Sequence, residues 1–143
     1  MQPFYKFLEH TADVLFEAEA GTLEDLFIQC ALAAADSQVD INRIKPKVKQ
    51  HIAIKHKDIE RLLFDFLDDL IFYKDSKQLI FTKFDLKIRQ LKDGIYSLDC
   101  QAHGEKLSHT KHDPKVDVKA VTMHLFEVKK TPRGWKAKVL LDI

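Results

Sequence analysis

The chain has little of what punctuates or staples a fold. It carries four Gly, four Pro and two Cys in 143 residues. So few Gly and Pro leave no room for a long flexible linker, and no internal repeat or low-complexity segment stands out. Two cysteines, Cys30 and Cys100, cannot build a disulfide framework. Each sits in an apolar pattern, which predicts buried thiols in a reducing compartment. No stretch has the length and hydropathy of a membrane span or a signal peptide, so a cytosolic location without membrane contact is expected. An excess of one charge is missing too. The 23 Lys and Arg against 22 Asp and Glu give a net charge of +1. No global field therefore argues for nucleic acid or a membrane surface.

What is present is an ordinary globular balance, 45% hydrophobic and 31% charged. The length allows one domain, residues 1–143, with a sizeable core. Ten Phe and one Trp make that core largely aromatic.

Periodicity gives the elements. Tyr5 and Phe7, then Val14, Phe16 and Ala18, recur every second residue and predict two strands, the second over 14–20. Gly21 ends it, and Thr22 with Asp25 resembles a capping box for a helix over 23–36. Val48, Gln50, Ile52 and Ile54 alternate as a strand. Asp58 caps a second helix over 58–72, whose apolar stripe centres on Phe66. Asp65, Asp68 and Asp69 then read as its solvated side. A strand lies within 79–91, Lys92-Asp93-Gly94 makes a hairpin turn, and Tyr96 to Ala102 returns. Residues 103–113 hold three of the seven His without zinc spacing and read as a mobile polar loop. A strand is expected over 116–128. Its apolar set changes faces near Val121, which points to a bulge or to burial on both sides. Thr131 to Gly134 turn, and Trp135 to Leu141 form a last strand. Strands and two helices in this irregular order predict an α+β fold, a mixed sheet with both helices packed on it.

Two places carry chemistry. The first is the corner Phe7-Leu8-Glu9-His10-Thr11-Ala12-Asp13 between the first two strands. Alone it reads either as a turn bonded to its own backbone or as an oxygen-rich site anchored on Asp13. The second is the ending Leu140-Leu141-Asp142-Ile143, which sets a side-chain carboxylate beside an α-carboxylate. If the strand from Val14 pairs antiparallel with the strand ending at Leu141, Asp13 meets Asp142. The three carboxylates would then repel, or hold a hard cation such as Ca²⁺ or Mg²⁺.

The corner, the run Val118-Lys119-Ala120-Val121-Thr122-Met123-His124 and the ending Gly134-Trp135 … Leu141-Asp142-Ile143 resemble the archease family, in the family's order and over nearly the whole chain. Met123 departs from the pattern, since many relatives carry Tyr there, and the stretch 43–57 is more basic. The resemblance implies an α+β fold: a strand-helix-strand-strand module with an inserted helix-and-strand unit. It also implies a chaperone-like, non-enzymatic role in tRNA splicing and RNA repair. Archeases assist the RNA-splicing ligase RtcB, promoting its guanylylation and multiple turnover. By the same resemblance Asp13, Asp142 and Ile143 hold a divalent metal, calcium in the family, with magnesium or manganese as alternatives. His10 and His124 then stand behind the ligands, and contact with RNA is indirect or left open.

Two rivals remain from the residues themselves. A metal-dependent hydrolase would use Asp13, Asp142 and His10, but no activated nucleophile and no Gly-rich phosphate cradle accompany them. An RNA-binding module would use the basic stretch from Arg43 to Lys57. That stretch lacks interleaved aromatic residues and reads first as a solvated strand face that discourages edge pairing.

Overall fold

The alternation of Tyr5 and Phe7 with Phe16 and Ala18 becomes an antiparallel hairpin in the computed structural model, which describes residues Met1–Ile143. Strand β1 (Phe4–Leu8) pairs with β2 (Val14–Ala20), Phe7 opposite Phe16. Helix α1 (Leu23–Gln38) starts where Thr22 accepts the Asp25 N–H at 3.1 Å. It runs two residues beyond expectation because Ser37 and Gln38 donate back to the carbonyls of Ala33 and Ala34. A single 3₁₀ turn, Ile41–Arg43, leads to β3 (Val48–His56). Asp58 accepts the Glu60 N–H at 3.0 Å and opens α2 (Ile59–Lys77). Its extension past residue 72 is tied down by Lys74. That buried ammonium donates to Asp117 at 2.6 Å and to the Val118 carbonyl at 2.7 Å. Burial alone would lower the Lys74 pKa, but its hydrogen bonds to Asp117 and Asp75 outweigh that and raise it. Gln78, in the left-handed region at φ 58°, ends the helix.

Strand β4 (Leu79–Gln90) turns at Lys92–Gly94 into β5 (Tyr96–Lys106). Asp93 and Gly94 both take positive φ there, as a tight hairpin requires. A short helix α3 (His109–His112) follows, then β6 (Ala120–Thr131) and β7 (Gly134–Asp142).

The α+β class stands, but the single mixed sheet does not. The strands form two sheets, ordered β1-β2-β7-β6 and β3-β5-β4, and every pairing is antiparallel. The reason is that each helix packs against strands of both sheets. A helix apolar over a broad stripe can bury two sides, and one continuous core of 27 buried residues joins both sheets and both helices. The inserted unit is also larger than expected. It contains three strands around its helix, β3-α2-β4-β5, and it interrupts a frame of the same order, β2-α1-β6-β7. In both, the last strand lies between the first and the middle one.

Residues 103–113 are not a mobile polar loop. Glu105 is 5% exposed and His112 is fully buried. Glu105 accepts the Lys45 N–H at 2.6 Å and the Lys111 ammonium. His112 accepts the Ser108 N–H at 2.8 Å through Nδ1, and its Nε2 lies 3.4 Å from Glu105. Hydrogen bonding to Lys111 and then to the Lys45 backbone pulls the Glu105 carboxyl down to about 2. The strand expected from 116 begins only at Ala120. Pairing between β6 and β7 breaks between Thr122 and Glu127, where Leu125 adopts φ 59°. The face change near Val121 is thus an irregular bulge.

Candidate metal centre

β7 is a central strand of the larger sheet, so its end is pinned from both sides. Val14 of β2 faces Leu141, and Ala120 of β6 faces Asp142. The Lys119 N–H adds a bond to the Asp142 carbonyl at 2.8 Å. Asp13 immediately precedes β2 and Asp142 ends β7, so the two carboxylates flank the last bonded pair, Val14 and Leu141. The corner that delivers Asp13 turns at Ala12, a non-glycine residue at φ 68°.

The electrostatics of this corner are one-sided. Asp13 has one ionic neighbour, His10, whose Nδ1 lies 3.9 Å from Oδ2, and Asp142 is in no salt bridge. Asp13 and His10 are each about one-third exposed, so the corner opens to solvent. No group of three or more His, Cys, Asp and Glu side chains is arranged to hold a metal. Asp13, Asp142 and the backbone of Ile143, which follows β7, offer hard oxygen donors, which fit Ca²⁺, Mg²⁺ or Mn²⁺ and not a soft metal.

Of the two expected supporting histidines, His10 is at the corner and His124 is not brought to it. His124 is exposed within the bulged part of β6, four residues beyond Ala120, roughly 13 Å along the strand.

Three residues beside the corner escaped the sequence reading. The Tyr5 hydroxyl donates to Asp36 at 3.0 Å, and the Lys115 ammonium donates to the Asp36 carbonyl at 3.0 Å and carboxylate at 3.3 Å. Burial, then the bond to Asp36, pushes the Tyr5 hydroxyl up to about 12. They lie next to a groove of about 360 Å³ walled by Phe7, Val14, Leu15 and Val116, with Asp13 at its side. No local signal marks this trio, because β1, the end of α1 and the segment after α3 contribute one residue each.

Residues 5–143 match the Archease protein family. The archease of Pyrococcus furiosus is 41% identical over 136 residues, covering 94% of this chain and 95% of that protein. The archease of Methanosarcina mazei is 34% identical over 139 residues, covering 97% and 95%. The solution structure of Methanobacterium thermoautotrophicum protein 1598 superposes with a TM-score of 0.85 at 34% identity, covering 97% of this chain and 98% of that one. The crystal structure of a Thermotoga maritima archease, described as a possible chaperone, shares the fold at a TM-score of 0.62 and 20% identity, covering 96% of each chain. The chain belongs to the archease family.

Proposed function

We propose that this chain is a cytosolic, non-enzymatic activator of the RNA-splicing ligase RtcB. In this reading it promotes guanylylation and multiple turnover of the ligase through a divalent cation held by Asp13, Asp142 and the carboxylate of Ile143. Family membership supports the partner. The observation that supports the site is the pairing of Val14 with Leu141, which leaves Asp13 just before one strand and Asp142 at the end of its neighbour, neither in a salt bridge with lysine or arginine. The cation, calcium by family resemblance, supplies when bound a hard acceptor for carboxylate or phosphate oxygens. The chain's own residues do the rest. Pairing with Ala120 and the bond from the Lys119 N–H anchor the Asp142 backbone to β6. The corner at Ala12 presents Asp13 from the facing strand, and His10 adds positive charge beside it when protonated. An open acidic rim of this kind is able to enter a partner's active site and assist in loading or repositioning its metal ions.

The test is calorimetric titration of Ca²⁺ and Mn²⁺ into the native protein, Asp13→Asn and a chain extended by one Gly beyond Ile143, with ligase turnover assayed for each. Removing a carboxylate takes away a ligand and a charge, so Asp13→Asn should bind metal far more weakly. The extension replaces the terminal charge by a neutral amide carbonyl and should weaken binding nearly as much. An N-terminal extension should not. Activation should fall in step. Undiminished binding and activation in both variants would falsify the site.

A further inference from the structure

The two outer sheet faces carry different charge patterns. On the four-stranded sheet both signs interleave. Lys136 pairs with Glu17 at 2.7 Å, and Lys129 pairs with Glu127 at 3.4 Å. On the three-stranded sheet the outward positions of the edge strands include five cations, Lys49 and Lys55 on β3 and Lys83, Lys87 and Arg89 on β4, beside His51, Ala53 and Asp85. All five are exposed, and none is in a salt bridge. The two carboxylates of this face are instead met by histidines, Asp99 by His51 at 3.0 Å and Asp85 by His103 at 3.4 Å. No helix covers the face, and it bears no large apolar side chain.

We propose that this open face binds single-stranded nucleic acid, with phosphates along the two cationic edges and bases over the central strand. The spacing suits it. Alternate residues of one strand are about 6.6 Å apart, on the scale of an extended polynucleotide repeat, and the two edges lie about 9.5 Å apart across β5. The outward groups of β5 are Ser97, Asp99, Gln101 and His103, which offer hydrogen bonds of both senses to base edges. Beside β4, a groove of about 650 Å³ is lined by Lys87 and Arg89 but also by Glu24, Asp25, Asp85 and Asp99, so the groove itself is not the phosphate site and the phosphates keep to the cationic edges. A protein partner would need an apolar or aromatic centre, and a bilayer would need apolar anchors; this face has neither. It also lacks aromatic platforms, so affinity rests on charge and falls steeply with salt. The inference stands on this face alone and is independent of the ligase reading.

The experiment is fluorescence anisotropy of labelled oligouridylate and oligothymidylate with the protein alone, in chelator and without ligase, over a salt series. Binding is expected with a slope of log affinity on log salt between about −2 and −3.5, since at most five cations contribute. Lys87→Glu with Arg89→Glu should weaken it roughly tenfold or more at low salt. Lys87→Gln with Arg89→Gln should weaken it less and flatten the slope by about 1.4. Lys6→Glu with Lys129→Glu makes the same charge change on the other sheet and should alter affinity less than about twofold. All four positions are exposed, and thermal melts confirm folding of each variant. Equal affinity for the two oligonucleotides assigns the contacts to phosphate and base, and preference for oligouridylate adds the 2′-hydroxyl; either supports the proposal. It is overturned if neither oligonucleotide binds at low salt, if both double substitutions act alike, or if only phosphatidylserine vesicles bind.

Discussion

Phe27 of α1 stacks on Phe66 of α2, with ring centroids 6.1 Å apart and planes 24° from parallel. Phe66 also meets Phe84 of β4 edge-on at 6.2 Å. One fully buried side chain thus joins both helices and the smaller sheet. Phe66→Ala is expected to cost about 3–5 kcal/mol. The neighbouring Asp65 is one-third exposed with Arg61 at 3.7 Å, so Asp65→Asn should change stability by no more than about 0.5 kcal/mol. Paired denaturant melts measure both. Equally mild losses would mean that the apolar stripe faces elsewhere.

Acid should loosen the end of β5. The Glu105 carboxyl is held at about 2 against an ordinary 4.5. A carboxyl depressed by folding contributes stability above its unfolded value, and that contribution is lost as pH falls towards the folded one. The native protein should therefore lose stability between about pH 4.5 and pH 2, and Glu105→Gln should flatten that limb. Urea midpoints across this range provide the measurement. An unchanged acid slope in the variant would count against the assignment.

Both thiols should be inert. Cys30 and Cys100 are fully buried. Burial pushes the Cys30 thiol far up. Burial, then the charges of Asp85 and Asp99, pushes Cys100 up to about 12. Since the thiolate is the reactive form, labelling by a thiol reagent should be far slower in the native protein than in denaturant. Rapid native labelling of either residue would contradict its placement.

At the proposed site Asp13 and Asp142 repel each other when no metal is bound. Asp13→Asn should stabilise the metal-free protein by about 0.2–0.5 kcal/mol at low ionic strength. The gain should vanish as salt screens the pair. Thermal melts in chelator at two salt concentrations read this directly, and a loss of stability at low salt would contradict the repulsion.

Periodicity made the elements legible, because burial on one face leaves a two- or 3.6-residue trace. It marked both helices, their caps at Thr22 and Asp58, and the hairpin at Lys92–Gly94. It could not say which strands are neighbours, so two antiparallel sheets read as one mixed sheet. The assumed antiparallel pairing of the strand from Val14 with the strand ending at Leu141 is the observed one. Residues 103–113 were misread because Glu105 looks solvated by composition. Its burial depends on Lys45, 60 residues earlier, and on Lys111. The unpaired cations of the outer face were half visible in the stretch 43–57. Lys83, Lys87 and Arg89 joined them only through the pairing of β4 with β5.

The nested β-α-β-β order gives the molecule a pseudo-duplicate of its own candidate site. In the frame, Val14 faces Leu141, so Asp13 precedes the first strand and Asp142 ends the last. In the insert, Val48 faces Gly104, so Lys47 precedes the first strand and lies across from Glu105. There the carboxylate meets Lys111 and, at 3.8 Å, Lys47: covalent ammonium groups fill the place. At the frame corner no lysine or arginine takes that part, and Asp13 has only His10, at 3.9 Å. One corner is thus closed by ammonium groups of the chain itself, while its counterpart stays open to solvent, so the same strand order carries two carboxylate corners of opposite electrostatic finish.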